Sequence, residues 1–146
     1  MQNKQPLLIA TGILILALVG VGVFYARSAN RQTQSQSVTS VARDRDLMRT
    51  IDISQIQQGL ELYFTARALY PQSLLEIEGE FLPTVPRDPV SGSLYDYAVS
   101  ANRTGYALGA RLEDPSSSLL SADVGDTDGI IYGVDCNDPV YCREMW

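Results

Sequence analysis

The sequence predicts an α+β protein: an N-terminal transmembrane helix continuing to, or followed by, an amphipathic helix packed on a small antiparallel sheet. Three observations carry this. Leu7 to Ala26 is a run of twenty residues without a charge; apolar residues recur at three- and four-residue steps between Leu47 and Phe64; and two short runs after residue 90 alternate in polarity. The resulting organisation is a membrane anchor over 1–27, a polar linker or exposed helix over 28–45, and an extracytoplasmic domain over 46–146.

The anchor comes first. A twenty-residue helix spans about 30 Å, the thickness of a bilayer's hydrocarbon core. Twelve of the twenty residues are Leu, Ile, Val or Phe, each favouring insertion by roughly 0.3 to 0.6 kcal/mol. Two other readings compete. Lys4 with the small-x-small pair Ala26 and Ser28 would suit a cleaved secretory signal, although its apolar core is usually about 7 to 15 residues. A long buried core helix would need a larger domain than this chain can build.

Residues 28–40 are rich in Gln, Ser and Thr, a composition that suits a flexible linker or the exposed continuation of the membrane helix. Beyond them Leu47, Ile51, Ile53, Ile56, Leu60, Tyr63 and Phe64 follow helical periodicity, predicting a helix over about 41–68 that ends before Tyr70 and Pro71. Gly59 inside it costs about 1 kcal/mol relative to alanine, which predicts that another backbone comes close there. Pro71, Pro83, Pro86 and Pro89 then mark a loop, and Asp88 before Pro89 favours a turn.

Leu94 to Ser100 and Gly105 to Glu113 alternate as strands, with a hairpin turn over 101–104. Tyr95, Tyr97 and Tyr106 read as sheet-face packing. Tyr132, flanked by Ile130, Ile131 and Val134, reads as a third short strand.

Composition narrows function. The chain has no histidine and one lysine, Lys4, so imidazole catalysis and histidine metal ligation are excluded. The net charge is −6, and residues 113–146 alone contribute −7. A direct nucleic-acid partner is not expected, since binding phosphates requires a basic face. The Ser116, Ser117 and Ser118 run has no base to activate it, and no paired-carboxylate or phosphate-cradling motif stands out. We expect a non-enzyme.

Cys136 and Cys142 lie six apart. In an oxidising compartment they form a disulfide, and the alternative is two reduced thiols in a frayed tail. Topology signals conflict. Arg27, Arg31 and Arg43 against Lys4 and the amino group weakly favour a cytoplasmic domain, whereas the cysteine pair favours the outside and carries more weight here.

The helix segment Ile51-Asp52-Ile53-Ser54-Gln55-Ile56-Gln57-Gln58-Gly59-Leu60-Glu61-Leu62-Tyr63-Phe64, closed by Tyr70 and Pro71, resembles the helix of bacterial major pseudopilins in the type IV pilin superfamily. The segment Leu82-Pro83-Thr84-Val85-Pro86-Arg87-Asp88-Pro89, leading through Gly92 to Tyr95 and Tyr97, is similar to the loop before the first pseudopilin strand. The likeness covers about 41–113. It implies a pilin-like fold and a structural subunit of a membrane-based type II secretion or type IV pilus-like fibre in the bacterial cytoplasmic membrane. Its partners would be the membrane, further copies or other pilin-like subunits, and secretion machinery.

The N-terminus departs from the family pattern. Gly12 is followed by Ile13, where the family has phenylalanine after the leader glycine, and no acidic residue precedes Asp44. A monomeric membrane-tethered module that presents a pilin-like head to a surface partner is therefore the alternative.

Two sets of residues are candidates for binding. Asp123, Asp126 and Asp128, with Gly129, repeat part of a calcium-loop spacing without its closing glutamate. Pseudopilins resemble this in placing calcium ligands near their last strands, and the alternative is a solvated acidic loop. For assembly, Gly20, Gly22 and Ala26 supply small residues for helix contact, and Leu47 and Ile51 supply an apolar stripe.

Overall fold

The computed structural model describes residues 5–123 and 129–145, and it divides the chain into two compact units, 1–41 and 42–146. The backbone is one α-helix from Gln5–Arg67, α1, which runs through the polar stretch at 28–45 without a break. Among the described residues no helix is long and apolar enough to cross a membrane. In the expected span, Phe24 and Tyr25 are the two residues whose surroundings are described, and both are 69% exposed.

In the second unit, α1 packs on a three-stranded antiparallel sheet of order β1-β2-β5, built from β1 (Asp96–Val99), β2 (Tyr106–Arg111) and β5 (Val140–Met145). A separate hairpin pairs β3 (Ile130–Ile131) with β4 (Val134–Asp135). The α+β architecture with a long helix on a small antiparallel sheet is as the periodicities predict.

The central strand β2 explains the layering. Its first five residues are all buried, because its side chains enter two different cores. Tyr106, Leu108 and Ala110 pack with Ile53, Ile56 and Leu60 of α1, all three fully buried, and with Tyr95, Leu112 and Tyr141. Ala107 faces the other way, into a cluster of Ile131, Val134, Cys136, Val140 and Cys142. The sheet is thus covered by the helix on one face and by the small hairpin with its disulfide on the other.

Helix α1 ends where Ala68 takes φ +60, donating its N–H to Phe64 O at 2.7 Å. Tyr70 and Arg103 then exchange two bonds, Tyr70 N–H to Arg103 O at 2.8 Å and Arg103 Nε to Tyr70 O at 2.7 Å, tying the helix end to the β1–β2 turn. The proline loop contains a 3-10 turn, Leu74–Ile77, started by a capping box of Ser73 and Glu76. This turn is what approaches Gly59. A Cβ there would lie 3.0 Å from Ile77 Cδ1, so the close neighbour is a side chain rather than the expected backbone.

Two expectations about the C-terminal region are corrected. Tyr132 is not in a strand: at φ +50 it turns the chain between β3 and β4. The third strand of the main sheet is β5, which the sequence reading missed. Val140, Tyr141 and Cys142 are buried in succession, so the period-2 signal is absent where β5 begins. The other two strands are shorter than expected. β2 gives way after Arg111 as the backbone N–H groups of Glu113 and Asp114 turn to the carboxylate of Asp46, at 2.8 and 3.0 Å.

Candidate functional site

The sequence-derived candidates fall into three groups. Cys136 and Cys142 form a disulfide with a Cα separation of 5.6 Å; both are fully buried, and the bond joins the end of the small hairpin to β5. Asp123 accepts the outward N–H of Cys142 at 3.0 Å, so its carboxylate caps the edge of β5. Asp126 and Asp128 lie outside the described residues, as do the surroundings of Gly20, Gly22 and Ala26. Among the described residues no three potential metal ligands come together.

Leu47 and Ile51 are on the surface. The helical repeat places Ile53, Ile56 and Leu60 against the sheet, whereas Leu47 (50% exposed), Met48, Ile51 and Leu62 turn to solvent. One helix therefore carries two apolar faces, of which the fold uses one. Grooves flank the outer face where residues 114–122 pass alongside it: one is lined by Arg43, Leu47 and Ser116 to Leu119, and the other by Ile51, Gln55, Gln58 and Tyr141.

The densest electrostatic feature was not anticipated. Arg49 and Asp46 are both buried one turn apart on α1, with Arg49 Nη1 at 2.8 Å from Asp46 Oδ1. The same Nη1 donates to Glu113 Oε1 at 2.8 Å, and Nε donates to Asp88 Oδ2 at 2.6 Å. Arg45 closes the cluster from the surface, donating Nε to Glu113 Oε1 at 2.7 Å. Asp88 also accepts the N–H groups of Val90 and Ser91, which makes the turn expected at Asp88-Pro89.

These contacts shift the titration of Asp88, Glu113 and Arg49. Burial pushes Asp88 up, but the bonds from Arg49, Ser91 and Val90 outweigh it and hold the carboxyl at about 2. Glu113 is held at about 2 by the bonds from Arg45 and then Arg49. Burial alone would lower Arg49, and its bonds to Asp88 and Glu113 reverse that, so it is raised well above its ordinary value. Charges so fully engaged with one another clamp three segments, α1, the loop at Asp88 and the chain at Glu113, together. The sequence signal was present as Asp46 and Arg49 at i, i+3, but their partners at 88 and 113 are brought in only by the tertiary fold.

Tyr97 and Tyr106 pack from the strands as expected, whereas Tyr95 lies just before β1 and Tyr70 just after α1; tyrosine hydroxyls also bond to the helix and its C-terminal loop. Tyr95 donates to Asp52 Oδ2 at 2.7 Å, Tyr70 to Glu61 Oε1 at 3.0 Å, and Tyr97 to Pro71 O at 2.8 Å. Burial, reinforced by Asp52, raises the Tyr95 phenol far above its ordinary range.

Neither a family model, nor a curated protein, nor a solved structure matches this chain. The functional reading therefore rests on the residues and the geometry.

Proposed function

We propose that this chain is a pseudopilin-like structural subunit, not an enzyme, that packs side by side with further copies or related subunits in a membrane-based secretion or pilus-like fibre. In this reading residues 7–26 anchor it in the bacterial cytoplasmic membrane, and the domain from residue 46 lies outside. The observation that carries it is the second apolar face of α1. Leu47, Met48, Ile51 and Leu62 are each about half exposed or more on a helix whose opposite face already fills the core. An exposed apolar ridge of this kind is a surface for a neighbouring element.

Cysteines introduced at Leu47, and at Gly22 within the expected span, test the packing directly. Subunits that stack through α1 will cross-link between chains in native membranes. Persistent monomer would favour the tethered module, the reading supported by Ile13 after Gly12 and by the lack of an acidic residue before Asp44.

The proposal includes a calcium ion at Asp123, Asp126 and Asp128, supported by their spacing and carboxylate chemistry. A bound ion would raise the melting temperature by mass action, and replacing Asp126 and Asp128 with asparagine would abolish the rise. A melting temperature that does not respond to added calcium removes the ion from the proposal.

A further inference from the structure

We propose that Asn102 is a glycan acceptor, whose side-chain amide takes an oligosaccharide from a polyprenyl pyrophosphate carrier through a membrane oligosaccharyltransferase. This rests on the outward placement of the domain in the reading above and adds a modification site to it. Asn102-Arg103-Thr104 has the N-x-T pattern of an N-linked acceptor, with a middle residue other than proline. It falls in the turn between β1 and β2, where Asn102 and Thr104 are both exposed.

The turn presents the amide nitrogen outward. Asn102 Oδ1 accepts from Ser100 Oγ at 2.8 Å, from Thr104 Oγ1 at 2.9 Å and from the Thr104 backbone N–H at 3.4 Å. A backbone N–H can only donate, so the oxygen end of the amide faces into the turn. Nδ2 is left without a partner among the described residues. Arg103 is drawn under the loop: at φ +59 its N–H bonds to Ser100 O at 2.9 Å, and its Nε bonds to Tyr70 O at 2.7 Å. The exposed residues of the turn, Ala101, Asn102 and Thr104, are all small.

The same bonds suit the chemistry. In the transfer, Nδ2 bonds to C1 of the sugar, the C1–O bond to pyrophosphate breaks with its electron pair, and one proton leaves Nδ2 for a carboxylate of the transferase. As that proton leaves, negative charge gathers on Oδ1, where the Thr104 hydroxyl and the other donors stabilise it. The turn is tied to the end of α1 by Tyr70 and Arg103, about 30 Å along the helix from Leu47. A bulky surface glycan there leaves Leu47 and Ile51 clear for a neighbouring copy.

The test is tandem mass spectrometry of the full chain purified from its own membranes, with the state of Cys136 and Cys142 read from the same sample. The expected result is an oligosaccharide mass on Asn102 in chains that carry the disulfide. T104V, which keeps the side-chain shape without the hydroxyl, loses the sugar, and T104S keeps it. N102D retains the oxygen acceptor that holds the turn, so it loses the sugar while its circular dichroism is unchanged. A bare Asn102 in disulfide-bonded chains, or sugar retained in T104V, overturns the acceptor site and leaves the outward domain standing. A bare Asn102 together with two free thiols overturns the outward placement, and the acceptor site with it.

Discussion

Arg49 donates Nε to Asp88 Oδ2 across 2.6 Å, joining α1 to a loop 39 residues further along the chain. With 4% of its side chain exposed, Arg49 is also the common partner of Asp46 and Glu113. Removing it leaves Asp46, itself 1% exposed, without its cation. Breaking a buried ion pair by deleting one partner costs about 3 to 5 kcal/mol. Arg49→Ala is therefore expected to lower the unfolding free energy, read from urea denaturation, by an amount in that range. Arg45→Ala, on the exposed side of the same cluster, should cost clearly less, because solvent screens its pair with Glu113. Equal losses from the two variants would mean that burial does not govern the cluster.

The same contacts make the fold sensitive to acid. Asp88 and Glu113 titrate at about 2 in the native protein, below their ordinary values of 3.8 and 4.5. The unfolded chain therefore binds protons first as pH falls, and unfolding becomes progressively easier. Their contribution is complete above the ordinary carboxylate range and is lost between about pH 4.5 and 2. Denaturation followed across that interval should show a steeper fall for the wild type than for D88N/E113Q. Parallel curves for the two proteins would show that these carboxylates do not set the acid limit.

The helix, the first hairpin and the cysteine pair were legible because each is a local signal: a 3.6-residue period, a 2-residue period with a turn, and a short spacing. What stayed hidden depends on neighbours distant in sequence. β5 begins Val140-Tyr141-Cys142 with no alternation because β2 covers it from the side and the two cores cover both its faces. Leu47 and Ile51 fall into the same apolar repeat as Ile53 and Ile56, and only the position of the sheet separates an outer face from an inner one. Asp46 and Arg49 look like any solvated helical pair until Asp88 and Glu113 close over them.

The disulfide is buried in the small second core and spans a loop of six residues. Closing a short loop in the unfolded chain is worth roughly 2 to 3 kcal/mol. C136A/C142A should lose about that much stability, with the main core of α1 and the sheet still formed. Loss of all helical signal at low temperature would instead make the second core essential to the first. Two freely alkylated thiols in the native protein would remove both the bond and the argument for an outward-facing domain.

Ala68 holds φ +60 at the end of α1, a left-handed position that helices usually give to glycine. An L side chain there carries a strain of roughly 1 to 2 kcal/mol. Glycine removes it but adds freedom to the unfolded chain, so the net gain is smaller. Ala68→Gly is expected to stabilise the protein by about 0.5 to 1 kcal/mol, read as a higher melting temperature. A destabilised variant would show that the helix end is held open by its contacts and not by its own backbone preference.

Gly105 presents the opposite case, because space and not φ forbids a side chain there. It opens β2 opposite the end of β5, and a Cβ built on it would lie 2.4 Å from the backbone oxygen of Met145 and 2.9 Å from the Tyr132 hydroxyl. The tyrosine can rotate away. The carbonyl belongs to a strand whose ladder with β2 runs from Tyr106 opposite Met145 to Arg111 opposite Val140, so relieving the contact means prising apart the end of the sheet. Overpacking of this kind costs about 1 to 3 kcal/mol. Gly105→Ala should therefore destabilise by at least 1 kcal/mol, and hydrogen exchange should quicken first at Met145 and Glu144, the residues at the displaced end. Adding Tyr132→Phe should recover little of the loss, because the backbone contact dominates. Full recovery in the double variant would assign the cost to the hydroxyl and leave the strand end free to move.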